Sequence, residues 1–141
     1  MKNTISSILS IILLSAFTLN TTPPVEVINA FTLRFPTATN VKWEKENEHE
    51  FEASFLLNGL NYAANYSDKG QWIETESPMT FMQLPKEVQT SFVKSHNSTT
   101  PYMVSKIEQA NDVVKYEIEL KVGAKIQEYF YTASGKETTE N

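Results

Sequence analysis

The chain has 141 residues, 40% of them apolar and 21% charged, with a formal net charge of -5 and no cysteine. Those shares belong to a folded globular protein of one ordinary domain or two very small ones, and they exclude a largely disordered chain. The acidic balance, with lysines dispersed between glutamates, argues against a nucleic-acid partner, and the missing cysteines exclude a disulfide scaffold, a thiolate metal site and a lipid-anchored form.

Residues 1–20, "MKNTISSILSIILLSAFTLN", place one lysine ahead of an apolar run from Ile8 to Leu14 and then small and polar residues. That is the layout of a secretory signal, expected to occupy residues 1–18 and to be cut after Ala16 or Thr18. The run is shorter than the roughly 20 apolar residues that span a bilayer, so no membrane span is expected after cleavage.

A first helix is predicted after Thr22, a candidate cap, with Pro23 or Pro24 in its first turn. Val27, Ile28, Phe31 and Phe35 then share one face until Pro36 stops it. A strand candidate, "NVKWEKE", follows. The next stretch alternates Phe51, Ala53, Phe55 and Leu57 against Glu52, Ser54 and Leu56, turns at Asn58-Gly59, and returns through Tyr62, Ala64 and Tyr66 to a second turn at Gly70. The chain then begins again. Pro85 opens a helix with Leu84, Val88 and Phe92 as its stripe, "YMVSKIEQ" is a strand candidate, and Tyr116, Ile118, Leu120 and Val122 alternate against Glu117, Glu119 and Lys121. Turns at Gly123 and Gly135 follow.

The glycines pair between the halves at offsets of 123 − 59 = 64 and 135 − 70 = 65, and Tyr66 pairs with Tyr131 at 65. Such self-similarity points to a duplicated unit. The expected fold class is therefore α+β, with two tandem helix-plus-four-strand repeats at 22–79 and 80–141 whose helices pack on one face of an antiparallel sheet. A half of roughly 60 residues buries too little surface to stand alone, so the halves should share a core. Whether they form one sheet or two is left open. The last strand, "KETTE", lacks counterparts of Trp72 and Ile73 and is expected to fray.

The short helix ending in "FP", then "VKWE", "FEASF", "NG", "YSDKGQWIETE", an "LP" before the second helix, "YEIEL" and "YTASGK" together resemble the PepSY-like, β-lactamase-inhibitor-like family of secreted proteins of Bacteroidota-type bacteria. The resemblance covers the chain after the leader, as one PepSY-like unit over 22–138. It implies a periplasmic or secreted protein with helices on an antiparallel sheet and a role in binding or inhibiting another protein. The family's name rests on fold similarity and does not itself make the chain an inhibitor of β-lactamase.

No catalytic constellation is expected. His49 and His96 fall at distant points of the predicted fold and read as solvated surface residues. The serines lack a nucleophile-elbow glycine pattern, and phosphate-binding glycine loops are absent. Glu74 and Glu76 share one face and could hold a cation, but only Asp68 and Asp112 provide aspartates and the loop chemistry of a calcium site is missing. Neither a metal nor a cofactor is expected. Glu52, Glu117 and Glu119 read as the solvated side of half-buried strands. The function expected is that of a non-enzymatic binding module whose open sheet face meets a protein of the bacterial envelope. Glu52, Leu56, Trp72, Glu74, Glu117 and Glu119 are the candidate contact residues, with Trp72 exposed only if Ile73 faces the helices. The alternative is a small-ligand or cation sensor.

Overall fold

The structure, a computed structural model, describes residues 21–97 and 99–139. The predicted signal segment lies outside the described residues. Along the chain run α1 (Val25–Arg34), β1 (Thr39–Lys45), β2 (Glu50–Leu57), β3 (Leu60–Ser67), β4 (Trp72–Pro78), α2 (Lys86–His96), β5 (Met103–Gln109), β6 (Val114–Val122), β7 (Lys125–Thr132) and β8 (Glu137–Thr138), with short 3₁₀ turns at Phe81–Gln83 and Ala110–Asp112.

Proline sets both helix starts. Pro24 and Pro85 occupy the N-cap positions with φ of -52°, an angle their rings impose, and neither helix receives a side-chain cap. Thr22, the expected cap of α1, is thus displaced by Pro24, whose carbonyl accepts from the backbone N–H groups of Val27 and Ile28. Pro36, which lacks an N–H, follows the C-cap Phe35 and bars further turns. α2 ends at Asn97, whose φ of 31° tips the backbone into the left-handed region where asparagine is tolerated.

The strands form one eight-stranded sheet in the order β1-β2-β3-β4-β5-β6-β7-β8, every neighbouring pair antiparallel. β2 and β3 are joined by Asn58 and Gly59 with φ of 53° and 80°, the two positive angles that a tight hairpin needs. The question of one sheet or two is answered by β4 and β5, which pair from Glu74 opposite Gln109 to Pro78 opposite Ser105.

Side chains opposite one another across antiparallel strands share a face, so the registers sort the whole sheet. One face carries both cores. Val27 and Phe31 of α1 pack with Phe51, Ala53, Phe55, Ala64 and Tyr66; Val88 and Phe92 of α2 pack with Leu84, Val104, Ile118, Leu120 and Tyr131. Phe31 is the hub of the first core, its ring 5.0 Å from that of Phe55, 5.3 Å from Trp43 and 5.4 Å from Phe35 in tilted and edge-on arrangements.

Two glycines bring the sheet against the helices. At Gly70, with φ of 76°, a Cβ would lie 2.6 Å from the carbonyl oxygen of Glu26 in the first turn of α1. At Gly135, with φ of 77°, it would lie 2.5 Å from the carbonyl oxygen of Glu87 in the first turn of α2. Only a residue without a side chain admits that approach and that backbone angle.

Candidate functional site

The other face of the sheet is covered by no described element. By register it presents Glu44, Glu52, Asn65, Glu74 and Gln109 in one row. A second row runs Lys42, Ser54, Ala63, Glu76, Ile107, Lys115 and Thr132, and a third runs Pro78, Ser105, Glu117, Phe130 and Thr138. Met103, Glu119 and Glu128 complete the lower part.

Although uncovered, the middle of this face is poorly accessible: Ile107 is 1% exposed, Glu74 5%, Glu117 6% and Phe130 8%. These residues sit on β4 to β7, each flanked by strands on both sides in the eight-stranded sheet, where neighbouring side chains on the same face crowd them. The expectation that Glu117 stands in water is corrected accordingly, and Glu74, a candidate contact residue, is likewise buried. Burial of a carboxylate requires a partner, and Glu74 accepts a hydrogen bond of 2.8 Å from Nε2 of Gln109 on β5.

The electrostatics of the face are unusual for a sheet. Glu44 stands directly opposite Glu52, and Glu119 directly opposite Glu128. Like charges across a strand pair repel. Burial pushes the Glu52 carboxyl above the ordinary carboxylate range; the negative charge of Glu46 adds to this, the Ser54 hydroxyl donating at 3.3 Å opposes it, and Glu44 and Glu74 raise it further. Burial likewise raises Glu119. At the corner where β1 meets β2, Leu56 lines a recess of about 430 Å³ together with Asn40, Val41, Lys42, Ser54, Phe55 and Asn61.

Of the candidates read from the sequence, Glu52, Leu56, Glu74, Glu117 and Glu119 come together on this face, and Trp72 does not. The register shifts between Asn65 and Tyr66, so that Tyr66 pairs with Trp72 while Asn65 pairs with Glu74. That bulge turns Trp72 to the helix side, where it packs against the first core. The Arg34 guanidinium lies 3.6 Å above its ring, and Nε1 donates to the Thr75 hydroxyl at 2.9 Å. Glu137 pairs with Tyr131 and so lies on the helix side.

His49 is at the β1–β2 tip, exposed, with Nδ1 3.4 Å from an Asp68 carboxylate oxygen. His96 departs from its expected place in solvent. It is half-buried between Phe92 and Tyr129, ring centroids 4.8 and 4.1 Å away, with a buried Nε2 that has no hydrogen-bond partner. The Phe92-His96 spacing of one helical turn is the sequence signal that would have found this stack. Among the described residues no three His, Asp or Glu side chains gather as metal ligands, and no helix is long and apolar enough to cross a membrane.

The fold and this face define an α+β protein with a single antiparallel sheet, two helices on one side and an acidic surface on the other. The pattern of the family described as "Putative beta-lactamase-inhibitor-like, PepSY-like" matches residues 49–135, and the chain belongs to that family. Crystal structures from Bacteroides share the fold. A DUF2874 family protein from Bacteroides ovatus ATCC 8483 is 23% identical with a TM-score of 0.70, over 84% of this chain and 86% of that one. A structure of "putative periplasmic proteins" from Bacteroides eggerthii DSM 20697 is 17% identical with a TM-score of 0.74, over 84% and 88%. A BLIP-like protein from Bacteroides fragilis NCTC 9343 is 22% identical with a TM-score of 0.66, over 86% of each. No curated protein matches the sequence.

Proposed function

We propose that the protein is a non-enzymatic binding module of the bacterial envelope, periplasmic or secreted, which engages a protein partner through the helix-free face. The partner presents lysine or arginine side chains to the glutamates and seats an apolar side chain in the recess beside Leu56. The observation that carries this reading is the pair of like-charge oppositions, Glu44 with Glu52 and Glu119 with Glu128, on an uncovered face. A sheet built for stability alone would place opposite or neutral residues there, and a breach of that local rule is characteristic of a surface kept for recognition. Cationic side chains from a partner would relieve the repulsion and gain charge-assisted hydrogen bonds. The family's inhibitor-like character and the periplasmic description of the Bacteroides eggerthii structure agree with the role and the compartment.

The same proposal includes the organisation of the chain as a cleaved leader at 1–18 followed by tandem units at 22–79 and 80–141. The tandem units are supported by the like placing of Gly70 against Glu26 and Gly135 against Glu87.

The test is affinity capture from the source organism's envelope extract with the native protein and with a Glu52→Lys/Glu119→Lys variant of equal thermal stability. A stoichiometric protein held by the first and lost by the second supports the reading. Equal capture by both refutes the face, and a protein that binds no envelope protein at all refutes the module.

A further inference from the structure

The two edges of the sheet are unequal. β8 offers two residues at one edge, whereas β1 offers seven at the other, all exposed except the half-buried Trp43. The backbone N–H of Glu46 donates to the Glu50 carbonyl at 3.0 Å. Antiparallel strands alternate hydrogen-bonded and non-bonded positions, so Glu44 and Lys42 also bond inward to β2, while the N–H and C=O of Trp43 and Lys45 point away from the sheet. An open row of backbone groups on a long edge is a template for another strand.

We propose that a second copy of this chain occupies that edge, its β1 pairing antiparallel with β1 here about a two-fold axis at Trp43. Charge selects both the occupant and the register. A two-fold axis at Lys42 would set lysine against lysine, and one at Glu44 would set glutamate against glutamate. An axis at Trp43 sets Lys42 against Glu44 of the second copy, and symmetry makes that pair twice. The same register makes the outward backbone groups of the two Trp43 residues hydrogen-bonding partners and brings the two half-buried indoles together on the helix side. The sheet continues through sixteen strands, twice the eight of one copy, and the contact closes after two copies because the axis is two-fold. The register break between Thr39 and Lys42, where Asn40 has φ of 54°, ends the pairing, so the interface is short and the dimer weak and concentration-dependent. This inference does not depend on the acidic face binding any partner.

The experiment is sedimentation velocity on the protein as its source cell processes it, from roughly ten micromolar to one millimolar, the range of weak association. The native protein is expected to show a reversible monomer–dimer equilibrium. Lys42→Glu and Glu44→Lys should each weaken it roughly tenfold, since both symmetry-related pairs turn repulsive. Mixing the two variants should restore association, because one chain then carries acids at both positions and meets bases at both positions of the other. A native protein that stays monomeric throughout overturns the proposal. So does a dimer indifferent to either reversal, or a mixture that associates no better than its components.

Discussion

The first half of the molecule, α1 with β1 to β4, and the second, α2 with β5 to β8, each run one helix and then four strands, and they differ in the side chains of their cores. The first core is aromatic, with Phe31, Phe51, Phe55 and Tyr66 buried and Phe35, Trp43, Tyr62 and Trp72 packed around them. The second is mainly aliphatic, built on Leu84, Val88, Val104, Ile118 and Leu120. What does not differ is the contact of a glycine turn with the first helical turn, at Gly70 and at Gly135, and the buried tyrosine one strand-end earlier, Tyr66 and Tyr131. Apolar volume can thus be supplied by different side chains, whereas a close backbone approach leaves no substitute.

The largest effect should therefore come from the glycines. Gly70→Ala and Gly135→Ala each force a Cβ to within 2.6 Å of a helix carbonyl at a positive φ, and should each cost about 3 kcal/mol or more in denaturant unfolding. Gly59→Ala and Gly123→Ala, where a Cβ meets nothing within 4 Å, carry only the backbone strain and should cost about 1 to 2 kcal/mol. Equal losses at all four positions would break the claim that helix docking is the shared constraint.

Next is the aromatic excess of the first half. Phe31→Ala removes the ring that ties α1 to β1 and β2 and should cost about 3 to 5 kcal/mol, as a large buried ring lost from a packed core does. Leu120→Ala in the second half should cost about 2 to 4 kcal/mol.

The paired tyrosines give a smaller, pH-dependent effect. The hydroxyls of Tyr66 and Tyr131 are buried without hydrogen-bond partners, so Tyr66→Phe and Tyr131→Phe should each be neutral or stabilising by up to about 1 kcal/mol at neutral pH. Burial raises both to about 12 from an ordinary value of 10; the nearby Arg34 opposes this at Tyr66, while Glu137 and Tyr129 add to it at Tyr131. A raised folded-state value means the unfolded chain loses its proton first, so stability is intact below pH 10 and falls as pH rises toward 12. Alkaline unfolding of the double Phe variant should show a shallower fall.

Smallest is Glu52→Gln. The folded state raises this carboxyl, so the charged form weakens the fold above the ordinary carboxylate range. The variant should melt slightly higher at neutral pH, and the difference should shrink as pH falls through the raised value and the native carboxyl takes up its proton. A variant that melts lower at neutral pH would remove the argument that this face is held at a cost.

Much of this plan is legible in the chain. Proline marks both helix starts, and Asn58-Gly59 marks a hairpin because few residues accept its two positive angles. Period-two alternation sorts the glutamates of β2 and β6 onto one side. What is hidden depends on partners distant in sequence. Trp72 turns to the helices because of a bulge set by β3, and nothing in "KGQWIETE" announces it. Glu74 and Glu117 lose their water because strands on both sides crowd them in the assembled sheet, and strand-local alternation cannot report neighbours distant in sequence. The self-complementary edge of β1 is visible only once β1 is known to lie at an edge.

The most direct test of the binding face is carboxylate footprinting of the captured complex, in which carbodiimide labelling of each glutamate is compared with and without partner. Glu52, Glu76 and Glu119 on the helix-free face are expected to become protected while Glu26 and Glu87 on the helices stay reactive. Protection of the helix glutamates with the sheet glutamates unchanged would contradict a partner seated on the sheet.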